Sequence, residues 1–370
     1  MSEKKVKPAA VGGQAVVEGV MMKTKDRVAI AVRRENGEIA KKLKNYTALT
    51  DRHKVLNIPL LRGVINFADL MRLSMSTLTE SIEMLELGDE KDEKDEKDEK
   101  GDGETEDGTE GAAGEENKRE NKRDENGKKD KTVKKEDMSK LIGIASVLGI
   151  ILGFALSFVL FFFLPTFLGA QLETAAVNIW GTQLNPAVLS AFEGFLRLVI
   201  FLAYILLVSL MKDIRRTFEY HGAEHMSIFA HERGEELTVE NVRKYPRLHP
   251  RCGTSFLIIM ILLGVVVGML IPRDLWFRML IRLAMFPLVI GVGYEFIKLA
   301  GKHSDNKFVK IISAPGMWVQ LLTTRKPDDA QLEVAVSSLK LALGLEGVEG
   351  LEGLEESKET PKPEEQLNNE

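Results

Sequence analysis

Hydrophobic and polar positions change their rhythm several times along the chain, and each rhythm predicts an element. Between Arg27 and Leu43 the apolar residues Val28, Ile30 and Val32 alternate with their neighbours. Asn36-Gly37 then supplies a turn and Ile39 opens a return strand, so the pattern predicts a β-hairpin. The stretch Val11–Met22, with Gly12 and Gly13 adjacent, also alternates and predicts one further strand. After Pro59 the period lengthens: Leu60, Leu61, Val64, Ile65, Leu70, Met71, Leu73, Leu78, Ile82 and Leu85 recur three and four apart, the spacing of a helix face. Arg62, Asp69, Arg72, Glu80 and Glu83 interrupt this helix too often for a membrane span. It is expected either to lie on a membrane surface or to pack as a core helix.

Four later segments are long and apolar enough to read as spans. They are Leu141–Leu164, closed by Pro165; Pro186–Met211; Ser255–Ile271; and Leu275–Leu299. Basic residues crowd one side. Lys131, Lys134, Lys135 and Lys140 precede the first span, and Lys212, Arg215 and Arg216 follow the second. Arg243, Lys244, Arg247 and Arg251 precede the third, and Lys298, Lys302 and Lys307 follow the fourth. Only Arg273, Arg278 and Arg282 stand against this bias. The expectation is a multi-pass cell-membrane protein whose N-terminus, loop 212–254 and C-terminus all face the cytoplasm.

The expected fold class is therefore mostly α: a polytopic helical membrane protein with about four transmembrane helices. A small N-terminal β element and cytoplasmic amphipathic helices complete it. Residues 1–87 form the β element and the amphipathic helix, 88–137 a disordered charged linker, and 138–310 the four-span membrane domain. In the C-terminal segment 311–345, Pro315-Gly316 reads as a turn and Trp318 as an interfacial anchor. A short amphipathic helix using Leu332, Val334, Val336, Leu339 and Leu343 follows it, and 346–370 reads as a disordered tail. Composition adds little beyond this. The net charge of -5 comes from the polar stretches, and no basic stripe interleaved with aromatics points to nucleic acid. Cys252 is the single cysteine, so no internal disulfide forms. No apolar run follows the charged first residues, so no cleavable signal peptide is expected.

The chemistry concentrates in loop 212–254. His221 and His225, four apart, share one helix face, with Glu224 in the same arc. His-Gly-Ala-Glu-His is the order of the inverted zincins, in which two histidines hold zinc and the glutamate activates water. His249 and Cys252 lie at the other end of the loop, both of the right type to complete a tetrahedral site. One of them as third ligand leaves a position open for catalysis, and all four together make a closed structural site. The bland alternative is histidines decorating a solvated helix. Glu295, near the end of the last span, is a further acidic candidate, with Lys298 one turn on as a plain ion-pair partner. For Gly12–Met22, which is neither a P-loop nor a dinucleotide fingerprint, a strand with glycine-permitted turns is the simpler reading. The other is a segment whose amides or Glu18 close over the site.

Several stretches together resemble one bacterial membrane family, the YqhQ-like proteins. They are Gly12–Met22, Glu219–His225 with Gly234–Val242, His249–Phe256, and Ser313–Trp318 with Pro327-Asp328-Asp329. That family is a domain of unknown function carrying the label of a predicted metal-dependent enzyme. The resemblance implies a membrane protein with a metal site at His221, Glu224, His225, His249 and Cys252. Two functional expectations follow. The first is a zinc-dependent hydrolase at the cytoplasmic membrane surface, with Glu224 as general base and a membrane peptide or lipid head group as substrate. The second is a non-catalytic scaffold or assembly factor in which the same residues tie the loop to the spans.

Overall fold

A computed structural model of the chain describes residues 8–99, 148–149, 151–250, 252–271, 275–302 and 306–346. The expected linker beyond residue 99 and the tail beyond residue 346 lie outside the described residues. The chain divides into two compact units, one of Met1–Asp89, Ile205–Ile259 and Ile290–Glu370, the other of Glu90–Tyr204 and Met260–Val289.

The first unit is built on a four-stranded antiparallel meander of β1 (Gly12–Val16), β2 (Gly19–Lys23), β3 (Arg27–Arg33) and β4 (Ile39–Asn45), in sequential order. Val11–Met22 is thus two strands and a tight turn, not one strand. The turn residues Val17 and Glu18 lack the usual Asn or Gly, and Glu18 itself takes the left-handed backbone at φ 49°. Its carboxylate accepts from the Arg216 guanidinium at 2.5 Å, a partner found only in the tertiary structure. The β3–β4 turn behaves as its Asn-Gly predicts, with Gly37 at φ 88°.

Both faces of this sheet are covered, which explains why β2 and β3 are buried at nearly every position. On one face Val16, Met21, Val28, Ile30 and Val32 pack with Met84, Leu73 and Leu85 of helix α2 (Leu61–Glu99), which follows the single turn α1 (Leu49–Arg52). The charges that interrupt the apolar rhythm of α2 have work on this side. Asp69 accepts from the Tyr46 hydroxyl at 2.6 Å, and Glu80 pairs with Lys42 and Lys44. An exposed apolar stripe of Met71, Met75, Leu78 and Ile82 runs along α2. The helix continues to Glu99, so residues 88–99, assigned by sequence to the linker, are helical backbone.

On the other face Val20, Met22, Ala29 and Ala31 pack against α5 (Lys212–Glu232), α6 (Val239–Val242) and α10 (Asp329–Leu343). α10 starts with a capping box between Asp328 and Gln331 and ends at the left-handed Gly344. Most of its surface is buried, since it fills the space between sheet and α5. The short residues Ala29 and Ala31 let it approach closely enough for the Ser338 hydroxyl to donate to Ala29 O at 3.2 Å. The N-terminal strands, the loop after the second span and the C-terminal helix therefore share one hydrophobic core.

Three described helical stretches are long and apolar enough to cross a membrane: Ile151–Trp180 (α3), Pro186–Val208 (α4) and Met279–Leu299 within α8 (Leu275–Lys302). A shorter apolar stretch, Phe256–Met269, belongs to α7 (Gly253–Met269). This is a membrane protein. Pro165 does not close the first span, because a π-helical turn at Val159–Phe163 carries the helix through it. Proline leaves the carbonyl four residues earlier without its helical donor, and Phe161 O instead accepts from Arg197 Nε at 3.1 Å. In the same unit the fully buried Glu193 pairs with Arg282 and with Arg197, so Arg282 is neutralised inside the fold. Pro315 likewise lies inside α9 (Lys307–Thr323) and not in a turn. The carbonyl it leaves without a donor belongs to Ile311, an exposed residue.

Candidate metal centre

α5 carries the His-Gly-Ala-Glu-His motif. It begins at an extended Met211 with Asp213 in its first turn and ends at Gly234, φ 72°. Glu235 N–H donates to Ala230 O and Gly234 N–H to His231 O, closing the last turn. Tyr220, Ala223 and Ile228 bury into the shared core, which fixes the rotation of the helix. His221, Glu224 and His225 are thereby turned toward the chain segment that precedes α7.

The imidazole orientations are set by backbone. His221 Nδ1 lies 2.8 Å from Thr323 O, and His225 Nδ1 lies 2.6 Å from Arg247 O. A carbonyl can only accept, so both Nδ1 atoms carry the proton, and in the neutral ring this leaves the lone pair on Nε2. His221 Nε2 is 3.3 Å from Cys252 Sγ. One ligand atom from each of His221, His225 and Cys252 falls within 4.8 Å of the others. Zinc bonds of about 2.0–2.1 Å to nitrogen and about 2.3 Å to sulfur, at a tetrahedral angle, ask for a nitrogen–sulfur separation of roughly 3.5 Å. The donor types suit a divalent ion of the zinc class, and the 3.3 Å approach of His221 Nε2 to Cys252 Sγ is close to that separation.

Glu224 Oε2 lies 3.8 Å from both Nε2 atoms. Burial pushes its carboxyl above the usual range, against a smaller opposing pull from His221 and His249. Burial also lowers the imidazole of His225, favouring the neutral form that a ligand requires. The structure places His249 differently from the other three residues. Its ring stands edge-on to Phe229, centroids 4.5 Å apart, and its Nε2 faces Glu232 Oε2 at 3.4 Å. Its backbone is clamped by Gln320, which accepts from His249 N–H and donates to His249 O, both at 2.8 Å. Glu295 is held elsewhere, by two contacts of 2.5 Å from Arg62. Glu18 faces Arg216 and Tyr220.

A cavity of about 850 Å³ opens over the site, lined on one side by His221, Glu224, His225 and Cys252 and on the other by β1. Gly13 is the closest point of β1. A Cβ there would stand 2.8 Å from Glu224 Cγ and 2.9 Å from Met21 O, so only glycine lets the strand pass at this height. The adjacent glycines were the sequence signal for this contact. Gln320, Thr323 and Arg247 gave none.

The profile of the family described as "Protein of unknown function (DUF1385)" matches residues 58–345. The chain is also 34% identical over 352 residues to a Bacillus subtilis (strain 168) protein described as "Uncharacterized protein YqhQ", covering 94% of this chain and 96% of that one. The chain belongs to this family. No solved structure matches it. Family membership carries no assigned chemistry, so any reading of function rests on the geometry of the site.

Proposed function

We propose that the protein is a metal-dependent hydrolase at the cytoplasmic face of the cell membrane. His221 Nε2, His225 Nε2 and Cys252 Sγ would hold zinc, and Glu224 would act as general base. The supporting observation is the pair of backbone-locked imidazoles whose Nε2 atoms converge with one sulfur beside a buried carboxylate. Second-sphere carbonyls of this kind orient metal-binding histidines. Three protein ligands would leave a zinc ion one position for water or substrate, as catalysis needs. A zinc ion there would supply Lewis acidity toward a carbonyl or phosphoryl oxygen. The chain's own part is to bind substrate in the cavity, take a proton from water at Glu224, and return it to the leaving group.

Parity and charge support a cytoplasmic site. One hydrophobic core cannot straddle a bilayer, so β1–β4, α5 and α10 lie on the same side. An even number of crossings must then separate α6 from α10, and α7 pairs with α8 even though its 17 residues are short for a span. With α3 and α4 this reading has four crossings. Lys212, Arg215, Arg243 and Arg247 flank them on the side of the site, which favours the cytoplasm.

The 3.3 Å approach of His221 to Cys252 is also compatible with a hydrogen-bonded clamp in a non-catalytic scaffold. Metal analysis of detergent-purified protein separates the readings. The expected result is about one zinc per chain, lost in a folded His221→Ala/His225→Ala variant. Glu224→Gln should keep the zinc and lose hydrolysis. No zinc in wild type, purified without chelator and offered the ion, sinks the hydrolase and leaves the scaffold.

A further inference from the structure

One wall of the cavity is not used by the histidine motif. Six consecutive residues, Ala10 to Ala15, line it. A strand presenting its face would contribute every second residue, so it is the edge of β1 that borders the cavity. Hydrogen-bond parity fixes what this edge offers. Thr24 N–H donates to Arg27 O, and Arg33 N–H donates to Glu18 O. The even-numbered residues of β2 therefore bond to β3, and Gly19, Met21 and Lys23 bond to β1. Their partners in register are Val16, Gln14 and Gly12. The N–H and C=O groups of Gly13 and Ala15 then point outward, away from β2. β1 is outermost in the sheet, and no strand among the described residues pairs with that edge.

The geometry points to a substrate subsite: an extended polypeptide adds to the outer edge of β1 as a fifth strand and carries its backbone past Glu224. This rests on the hydrolase reading and names its substrate class. The occupant follows from the chemistry of the edge. Donors and acceptors repeating every second residue, roughly 7 Å apart, are matched by another extended backbone and not by a lipid head group. The cross-strand neighbour of Gly13 would project its side chain to the face where Gly13 meets Glu224. Gly12 and Gly13 are exposed and put no side-chain bulk in its way. Met21, Leu70, Phe218 and Ile228 line the cavity beside them and suit apolar side chains on the incoming strand.

The test uses full-length protein in detergent and a library of decapeptides with apolar residues at alternate positions. Ala15→Pro removes one outward N–H without touching the bonds to β2, a change that edge strands tolerate. Cleavage of library peptides should fall about tenfold in kcat/KM, the loss of one substrate hydrogen bond. Zinc content should be unchanged, and any loss of 4-nitrophenyl acetate hydrolysis should be smaller than the loss of peptide cleavage. In Glu224→Gln protein the peptides should slow hydrogen exchange across β1, and peptides N-methylated at alternate residues should not. The N-methylated comparison stands even if Ala15→Pro fails to fold. Equal binding of methylated and plain peptides, or undiminished cleavage by folded Ala15→Pro, overturns the proposal. So does wild type that holds zinc and hydrolyses the ester yet neither binds nor cleaves peptides, an outcome that spares the hydrolase. Protection of β1 without zinc or ester hydrolysis supports strand addition and rejects the hydrolase.

Discussion

Gly13 and Gln320 show how much of the site depends on residues without catalytic chemistry. In Gly13→Ala the new methyl meets Glu224 Cγ at 2.8 Å and the Met21 carbonyl at 2.9 Å. The carbonyl is fixed in the sheet, so the carboxylate must give way. A displacement of about 1 Å at a catalytic group costs on the order of a hundredfold in rate. Under the proposed hydrolase reading, Gly13→Ala should lower ester hydrolysis by about that factor with zinc content preserved; equal loss of both would mean that the strand itself had moved. Gln320→Leu tests the clamp on His249. It leaves a buried N–H and a buried carbonyl unpaired, and should destabilise by about 2–4 kcal/mol. A shift in the unfolding midpoint checks it, and an unshifted midpoint would mean that other groups take over both bonds. The sequence made His221, Glu224 and His225 legible because they share one helical turn. Gln320 was illegible because its role depends on a partner 71 residues away, and Thr323 because its contribution is a backbone carbonyl that any residue carries.

At the scale of elements, the closest approach beside the site is between α5 and the link from α9 to α10. A Cβ on Gly222 would lie 2.1 Å from Arg325 O, and Arg325 N–H donates to Phe218 O at 2.8 Å. Gly222→Ala must push this link away from α5. Thr323, whose carbonyl orients His221, lies two residues before Arg325 and would move with it. If the site holds zinc as proposed, the expected outcome is weaker zinc binding together with a lower unfolding temperature, read by metal titration and thermal melting of the same preparation. Unchanged affinity at a lowered melting point would separate the link from the site. Elements with local signals were readable: the Asn-Gly turn of β3–β4, the periodic α2 and the apolar positions of α10. Elements set by tertiary partners were not. The β1–β2 turn depends on Glu18 tolerating a left-handed backbone while its carboxylate meets Arg216. The passage of α3 through Pro165 depends on a guanidinium from α4 reaching Phe161 O.

For the whole molecule, near-neutral average hydropathy conceals a membrane protein, and the segments that build the core around the sheet are separated in sequence by the spans. Composition and periodicity marked a membrane protein but could not show that the N-terminal strands, α5 and α10 enclose one core, because that core forms only between distant segments. Its existence makes topology testable with one native probe. Cys252 is the single cysteine and lines the cavity. If loop 212–254 faces the cytoplasm, a membrane-impermeant maleimide should leave Cys252 unmodified in intact cells and label it in inside-out vesicles. Zinc should slow that labelling if the thiolate is a ligand, since a coordinated sulfur is a poorer nucleophile toward the reagent. His221→Ala/His225→Ala protein should be labelled at one rate with or without zinc. Labelling in intact cells would put the site outside and end the cytoplasmic reading while leaving the shared core intact. Labelling confined to vesicles but indifferent to zinc would keep the topology and remove Cys252 from the ligand set. The two imidazoles would then need another third donor to hold the ion, and the closest carboxylate to both is Glu224, at 3.8 Å from each. A glutamate bound as a ligand could not also serve as the free base, so that outcome would count against catalysis as well as against the thiolate.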